Sequence, residues 1–192
     1  MRRLSIALAS AIAVATLAAT AGATSSDPKL LVLQRSDVPA SFQPDRGQTR
    51  YWRNAAYVRG HPNIQKLVAG SGRVNGYAAV YNRRRGKLVD TILSFTHLCR
   101  TGSGAHVLFA HEDALERRVN AARAKVGQAY GRRSVDIADE GRLYASPTGP
   151  RFVTVFWRAG RTMATLSTWG LTKRQTLSLA QMLQHRIEKT QG

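Results

Sequence analysis

Residues 73–99 read RVNGYAAVYN-RRRGK-LVDTILSFTHLC, and this stretch decides the fold. From Arg73 to Asn82, Val74, Gly76, Ala78 and Val80 alternate with Tyr77, Ala79 and Tyr81. From Leu88 to Cys99, Val89, Thr91, Leu93 and Phe95 fall on one face. Alternation with a period of two marks a half-buried strand, because successive side chains of an extended chain point to opposite sides. Arg83-Arg84-Arg85-Gly86-Lys87 joins the two runs, so the segment reads as a hairpin with a five-residue, Gly-containing link.

C-terminal to the hairpin, the spacing changes. Between Ser103 and Gly127, the positions of Leu108, His111, Leu115, Val119, Ala122 and Val126 recur at helical spacing, which predicts an amphipathic helix capped by Ser103. Ser134 to Ala145 reads as one strand carrying the acidic residues Asp136, Asp139 and Glu140. Ser146 to Pro150 forms a turn, and Arg151–Arg158 with Thr162–Trp169 forms a second hairpin closed through Ala159-Gly160. Thr172-Lys173-Arg174-Gln175 is a capping-box pattern, and the helix it opens has Thr176, Ala180, Leu183 and Ile187 on one stripe. The expected class is α+β: an antiparallel sheet of about five strands, two hairpins plus one strand, packed with two amphipathic helices on one face or at the edges.

Toward the N-terminus the pattern weakens. Gly47 to Gly72 is the least readable part, with helical stretches expected at Asn54–Val58 and Pro62–Val68. Leu30 to Gln34 can form a helical turn, Pro39 forces Val38 to an extended path, and Phe42 is the expected anchor of this arm. Before it, Arg2 and Arg3 precede an uncharged, Ala-rich run from Leu4 to Ala19 and the triplets Ala19-Thr20-Ala21 and Ala21-Gly22-Ala23. That order of charge, short apolar run and small residues is what signal peptidase reads. Residues 1–23 are therefore expected to be a signal peptide, and residues 24–192 a single secreted domain. No later run is long or apolar enough to span a membrane, and no cysteine stands near the cleavage site. The product is expected to be soluble or peripherally bound.

Composition narrows the partners. Lys and Arg number 29 against 11 Asp and Glu, a formal net charge of +18, and 23 of the cations are arginine. Such a surface favours anionic partners, here cell-envelope polymer or lipid headgroups. An excess of Arg over Lys beside many Ala and Gly residues is equally what a GC-rich genome encodes. The candidate contact is the hairpin tip, where Arg83, Arg84, Arg85 and Lys87 crowd together and arginine can grip phosphate or carboxylate bidentately. The alternative is a solvated tip that aids solubility. No nucleic-acid-binding module or stacking platform is recognisable, and no nucleic-acid partner is expected.

Catalytic patterns are sparse. His111-Glu112 begins the zinc motif H-E-x-x-H, but position 115 is Leu. Gly102-Ser103-Gly104 is not a nucleophile elbow, and no phosphate loop is present, so no cofactor and no metal are expected. The single cysteine, Cys99, reads as a buried hydrophobe at a strand end, with a thiolate pair to His97 as the alternative. Asp90, Asp136, Asp139 and Glu140 are the only candidates for carboxylate chemistry, and ion pairing with arginine is their default role.

Several segments together resemble a known group. They are the export signal, the arm ending Asp37-Val38-Pro39-Ala40-Ser41-Phe42, and Gly72-Arg73-Val74-Asn75-Gly76-Tyr77. To these add Ile137-Ala138-Asp139-Glu140 before a strand, Val155-Phe156-Trp157-Arg158-Ala159-Gly160-Arg161, and the closing helix. The chain resembles secreted actinobacterial α+β envelope domains, among them small lipoproteins and the extracellular sensor domains of mycobacterial receptor-type serine/threonine kinases. The likeness runs from about Leu30 to Ile187. It implies a non-enzymatic, envelope-facing domain that binds or senses a ligand. The chain lacks the lipoprotein cysteine and the paired cysteines of the kinase sensors. Two other functions stay open on the residues alone: an extracellular hydrolase, and a carrier holding a small apolar ligand between the sheet and a helix.

Overall fold

A computed structural model describes residues 27–60, 64–147 and 152–191. The expected signal peptide, Pro62 and most of the turn at Ser146–Pro150 lie outside them. Two 3-10 turns, Pro28–Leu31 and Arg35–Asp37, open the chain. There follow β1 (Gln43–Pro44), β2 (Arg50–Tyr51), α1 (Asn54–Gly60), α2 (Gln65–Gly70), β3 (Arg73–Arg85), β4 (Leu88–Cys99) and α3 (Gly102–Ala124). Then come β5 (Gly131–Ser134), β6 (Glu140–Ala145), β7 (Phe152–Ala159), β8 (Thr162–Trp169) and α4 (Lys173–Gln191).

The class is α+β, and the sheet is antiparallel as expected, but among the described residues it has eight strands rather than about five. Its order is β1-β3-β4-β8-β7-β6-β5, with β2 also pairing β3. The missed strands lack a pattern to read: β1 and β2 are two residues each, and the exposed edge strand β5 is Gly-Arg-Arg-Ser. The run expected as one strand over Ser134–Ala145 is split, because the chain loops through 135–139 before β6 begins.

The first hairpin is tighter than expected. Arg83, Arg84 and Arg85 continue β3, opposite Asp90, Val89 and Leu88, and only Gly86 and Lys87 make the turn. Gly86 has φ +60, the left-handed conformation that two-residue hairpin turns require and that glycine adopts without cost. Asp90, cross-strand from Arg83, pairs with both Arg83 and Arg85, which offsets part of the repulsion among the three arginines in this strand.

The two long helices lie on opposite faces of the sheet, which corrects the expectation of one covered face. Phe156 and Trp157 are neighbours on β7 and so point to opposite sides. Phe156 packs near Phe109 of α3, with ring centroids 5.4 Å apart. Trp157 donates its indole N–H to Gln184 of α4, at 2.8 Å. Under α4 lies the larger core, where Leu166, Trp157, Ala180, Leu183 and Ile187 are fully buried with Leu31, Leu33 and Phe42 of the N-terminal arm. Leu108, Phe109, Tyr144, Phe156, Met163 and Cys99 form the smaller core under α3.

Burial along β4 inverts the sequence reading. Val89, Thr91, Leu93 and Phe95 do share a face, but it is the more open one. Asp90, Ile92, Ser94, Thr96 and Leu98 are buried on the other face, where the arm reaches Ser94 and Thr96. Their polar groups have partners there: Leu33 N donates to Ser94 Oγ at 3.1 Å, and Thr96 Oγ1 donates to the Pro28 carbonyl at 3.3 Å. Hydrogen bonding of this kind removes most of the cost of burying a hydroxyl.

The α4 capping box forms as expected, Thr172 N donating to Gln175 Oε1 and Gln175 N to Thr172 Oγ1. In α3 the cap is Thr101, which accepts from Gly104 N at 3.1 Å, while the Ser103 hydroxyl bonds to Thr101. Of the expected α3 stripe only Leu108 is buried, and the inward face lies elsewhere. Ala105, Leu108, Phe109 and Asp113 face inward, whereas Leu115 and Val119 are each 39% exposed and Val126 is 68% exposed. The helix docks by its N-terminal turns, where Gly104 lies so close to the Ser71 carbonyl that no Cβ would fit. Asp113 then takes the place of an apolar residue, held by Arg132 and by the Tyr144 hydroxyl at 2.9 Å.

Candidate functional site

On the α3 side of the sheet, paired residues of β3 and β4 form successive rows: Gly76 with His97, Ala78 with Phe95, Val80 with Leu93, Asn82 with Thr91, and Arg84 with Val89. Small residues on β3 leave a depression along these rows. Its inner part, about 250 Å³, has Ala78, Val80, Leu93 and Phe95 as floor and Trp52, Tyr57, Arg50 and Gln48 as walls. It continues outward past Asn82 and Thr91 to Val89 and Trp169, the two stretches sharing Gln48, Val80 and Leu93. We call the whole depression the trough. A larger hollow of about 700 Å³ lies along the edge strand β5, where exposed Arg132, Arg133 and Lys173 rim a base that includes buried Leu143, Val153 and Leu171.

The inner end of the trough is closed by a buried arginine. Gly76 makes room for it, since a Cβ there would lie 2.5 Å from Arg73 Nη2 and from the Thr96 carbonyl. Arg73 Nε donates to His97 Nδ1 at 2.7 Å, Nη1 to Asn54 Oδ1 at 2.6 Å and Nη2 to the Trp52 carbonyl at 2.8 Å. The guanidinium also sits 4.4 Å from the centre of the Tyr57 ring. No carboxylate pairs with it among the described residues, and burial lowers its pKa to about 10. Burial, with the Glu112 charge adding, pushes the Tyr57 phenol up to about 12. Asn54 Nδ2 in turn donates to the Arg73 carbonyl at 2.7 Å, so this cluster fastens the start of α1 to the sheet. Trp52 then stands edge-on to both Tyr57 and Phe95, and the Arg50 guanidinium covers it at 4.4 Å.

The basic tip expected from the sequence divides between the two faces. Arg83 reaches Asp90 Oδ2 at 2.6 Å and Arg85 reaches Asp90 Oδ1 at 2.8 Å. Arg83 also lies 4.5 Å over the Phe42 ring. Hydrogen bonds from Arg85 and Arg83 hold the Asp90 carboxyl below its ordinary range against the opposing effect of burial. Its position depends on Gly170, whose φ of +86 leaves the space Asp90 occupies. Arg84 points to the trough side, exposed, across from the exposed Val89. Lys87 is exposed in the turn.

The other candidates take structural roles. Cys99 is fully buried at the end of β4, and burial raises its thiol to about 11, too high for a thiolate at neutral pH. His97 shares its strand face, but its Nδ1 accepts from Arg73. Asp139 and Glu140 both bind Arg158, at 2.8 and 2.6 Å, and Glu140 also holds His106 Nδ1 at 2.7 Å. Burial pushes the Glu140 carboxyl up, but the bonds from His106 and Arg158 outweigh it and hold it low, in the ionised form. His106 meets one carboxylate, Glu140, but among the described residues no group of three or more His, Cys, Asp or Glu could hold a metal. Sequence reasoning missed Trp52, Tyr57 and Phe95 as one cluster. The Tyr51-Trp52 pair was a visible signal, but its partners lie on other elements.

No family model matches the chain, and no curated protein matches it. A solved structure does share the fold, the extracellular domain of PknH from Mycobacterium tuberculosis. The match covers 83% of this chain and 93% of that one, with a TM-score of 0.53 and 13% identity. The chain is thus similar in fold to the extracellular domain of a mycobacterial receptor kinase, the kind of domain its sequence resembles. No helix among the described residues is long and apolar enough to cross a membrane.

Proposed function

We propose that this protein is a non-enzymatic, sensor-like binding domain of the cell envelope, working outside the cytoplasm, whose ligand lies in the trough. The observation that carries this reading is the concavity in which Trp52 and Tyr57 stand as aromatic walls over a floor of Ala78, Val80, Leu93 and Phe95. Apolar concavities with a few polar groups at the rim are the usual form of small-ligand sites. The expected leader at residues 1–23 and the fold shared with an extracellular domain support the location. The pairing of Asp139 and Glu140 with Arg158 and the protonated Cys99 thiol support binding over catalysis at those positions.

The cationic surface adds a second contact in this reading. Arg84 and Lys87, exposed at the hairpin tip, would meet anionic polymer or lipid headgroups. Co-sedimentation with anionic vesicles and with isolated cell-wall polymer, at low and high salt, tests both parts. Screening should release the purely electrostatic component at high salt. A component that persists at high salt and disappears in Leu93→Trp, which fills the trough, is the expected result. No association in either salt would overturn the envelope reading.

A further inference from the structure

We propose that the trough takes an elongated anionic amphiphile, its tail along the floor and its headgroup at Arg84. This rests on the trough being the binding site. Three observations point to that ligand class.

The first is the chemistry of the walls, which offers a polar ligand little to bind. Most polar groups nearby are already committed, and the Arg50 guanidinium, though it makes no ion pair among the described residues, lies over Trp52. Arg73 directs three of its five N–H groups to His97, Asn54 and the Trp52 carbonyl. Gln48 Nε2 donates to Asp45 Oδ2 at 3.0 Å, and Thr91 Oγ1 donates to Asn82 Oδ1 at 2.9 Å. A sugar or peptide placed there would leave its own donors and acceptors without partners, each at a desolvation cost. Hydrocarbon meets no such cost.

The second is shape. Trp52 and Tyr57 close the inner end, while the outer end opens past Trp169. From the Ala78 row to the Arg84 row the floor advances six residues along β3, about 20 Å at strand rise. A long, narrow hollow closed at one end and open at the other suits a chain rather than a compact ring system.

The third is charge. Arg83 and Arg85 share the single carboxylate of Asp90, so Arg84 is the member of the triplet that carries no carboxylate partner among the described residues. It stands at the open end, one row beyond Asn82. Asp45 lies nearer the trough, where its carboxylate accepts from the Asn82 and Gln48 side chains. A negative headgroup is therefore repelled from the Asn82 row and drawn to Arg84. Arginine can hold a carboxylate or phosphate with two parallel hydrogen bonds.

The test uses the purified protein and three probes of equal chain length, myristate, myristyl alcohol and myristyl trimethylammonium, each below its micelle concentration. Trp52 and Trp169 line the trough, so intrinsic fluorescence reports occupancy directly. Myristate should bind at least tenfold more tightly than the alcohol, and the cation least. Shorter homologues should weaken by roughly two- to fourfold per methylene lost from the trough. Arg84→Glu should reduce myristate to the level of the alcohol and leave the alcohol unchanged. Leu93→Trp should remove all binding. If Leu93→Trp does not fold, Thr91→Phe at the half-buried outer row serves as the block. Equal binding of the three headgroups, or unchanged myristate binding in Arg84→Glu, overturns the anionic amphiphile while leaving the trough as a site. Binding that survives both blocks, or no binding of any probe, overturns this proposal, and survival of both blocks removes the trough reading as well.

Discussion

Arg186 of α4 grips Asp37, at the end of the second 3-10 turn, with both guanidinium nitrogens Nη1 and Nη2, and Nη1 also donates to the Val32 carbonyl. This bond joins the N-terminal arm to the last helix across nearly the whole chain. The arm packs on the face of β4 that carries Ser94 and Thr96 and bonds to both.

Arg186→Ala should therefore loosen the arm and lower stability by about 2–3 kcal/mol, because a mostly buried carboxylate is left unpaired. The same pair makes stability acid-sensitive. Burial raises the Asp37 carboxyl, but the bonds from Arg186 and Gln34 N more than offset it, so the folded pKa is lowered. Its contribution is present above the unfolded value of about 3.9 and is lost as pH falls through the lower folded value. In urea titrations, Asp37→Asn should lie well below the parent at pH 6, and the gap should narrow toward pH 3.

Arginines that are adjacent in sequence should behave differently. Arg83→Ala removes the Asp90 bond and the cover on Phe42, and should cost about 1–2 kcal/mol. Arg84→Ala touches neither and should stay within about 0.5 kcal/mol. Urea midpoints of the two variants, measured side by side, check this. An equal loss would mean that Asp90 does not discriminate between them.

Glu112 gives a dependence of opposite sign to Asp37. Burial, with the Glu116 charge adding, raises its pKa to about 7. A raised carboxyl pKa favours the folded state below the unfolded value, and that advantage is lost as pH rises toward 7. Glu112→Gln should match the parent near pH 4 and exceed it near pH 8 by about 1–2 kcal/mol, a figure discounted for partial exposure. Thermal melts at the two pH values provide the measurement.

Cys99 should resist a thiol reagent in the native protein and react fully once unfolded. It is inaccessible, and burial holds the thiol protonated, with a pKa of about 11. Fast native labelling with a disulfide reagent would contradict the placement of this strand end.

What could be read in the sequence was local. The two hairpins and the capping box at Thr172 depend on residues close together in the chain, and the α4 stripe of Thr176, Ala180, Leu183 and Ile187 is buried as its spacing implies. Edge strand β5 was hidden because Arg132 and Arg133 look like a loop until β6 supplies their partner strand. The α3 stripe misled because apolar spacing shows which residues share a face, but not whether a neighbour covers that face.

The sequence by itself determined an antiparallel α+β protein with a hairpin of arginines at its tip, since alternation, turn residues and caps are short-range properties of the chain. Only the tertiary structure decided which face of β4 is buried, because that choice belongs to an arm more than 50 residues away that supplies partners for Ser94 and Thr96. It also decided that Trp52, Tyr57 and Phe95 meet in the trough and that Arg84 alone of its triplet faces it. The reason is that charge and burial are settled by neighbours in space, and a buried Asp90 between two arginines cannot be seen from their order in the chain.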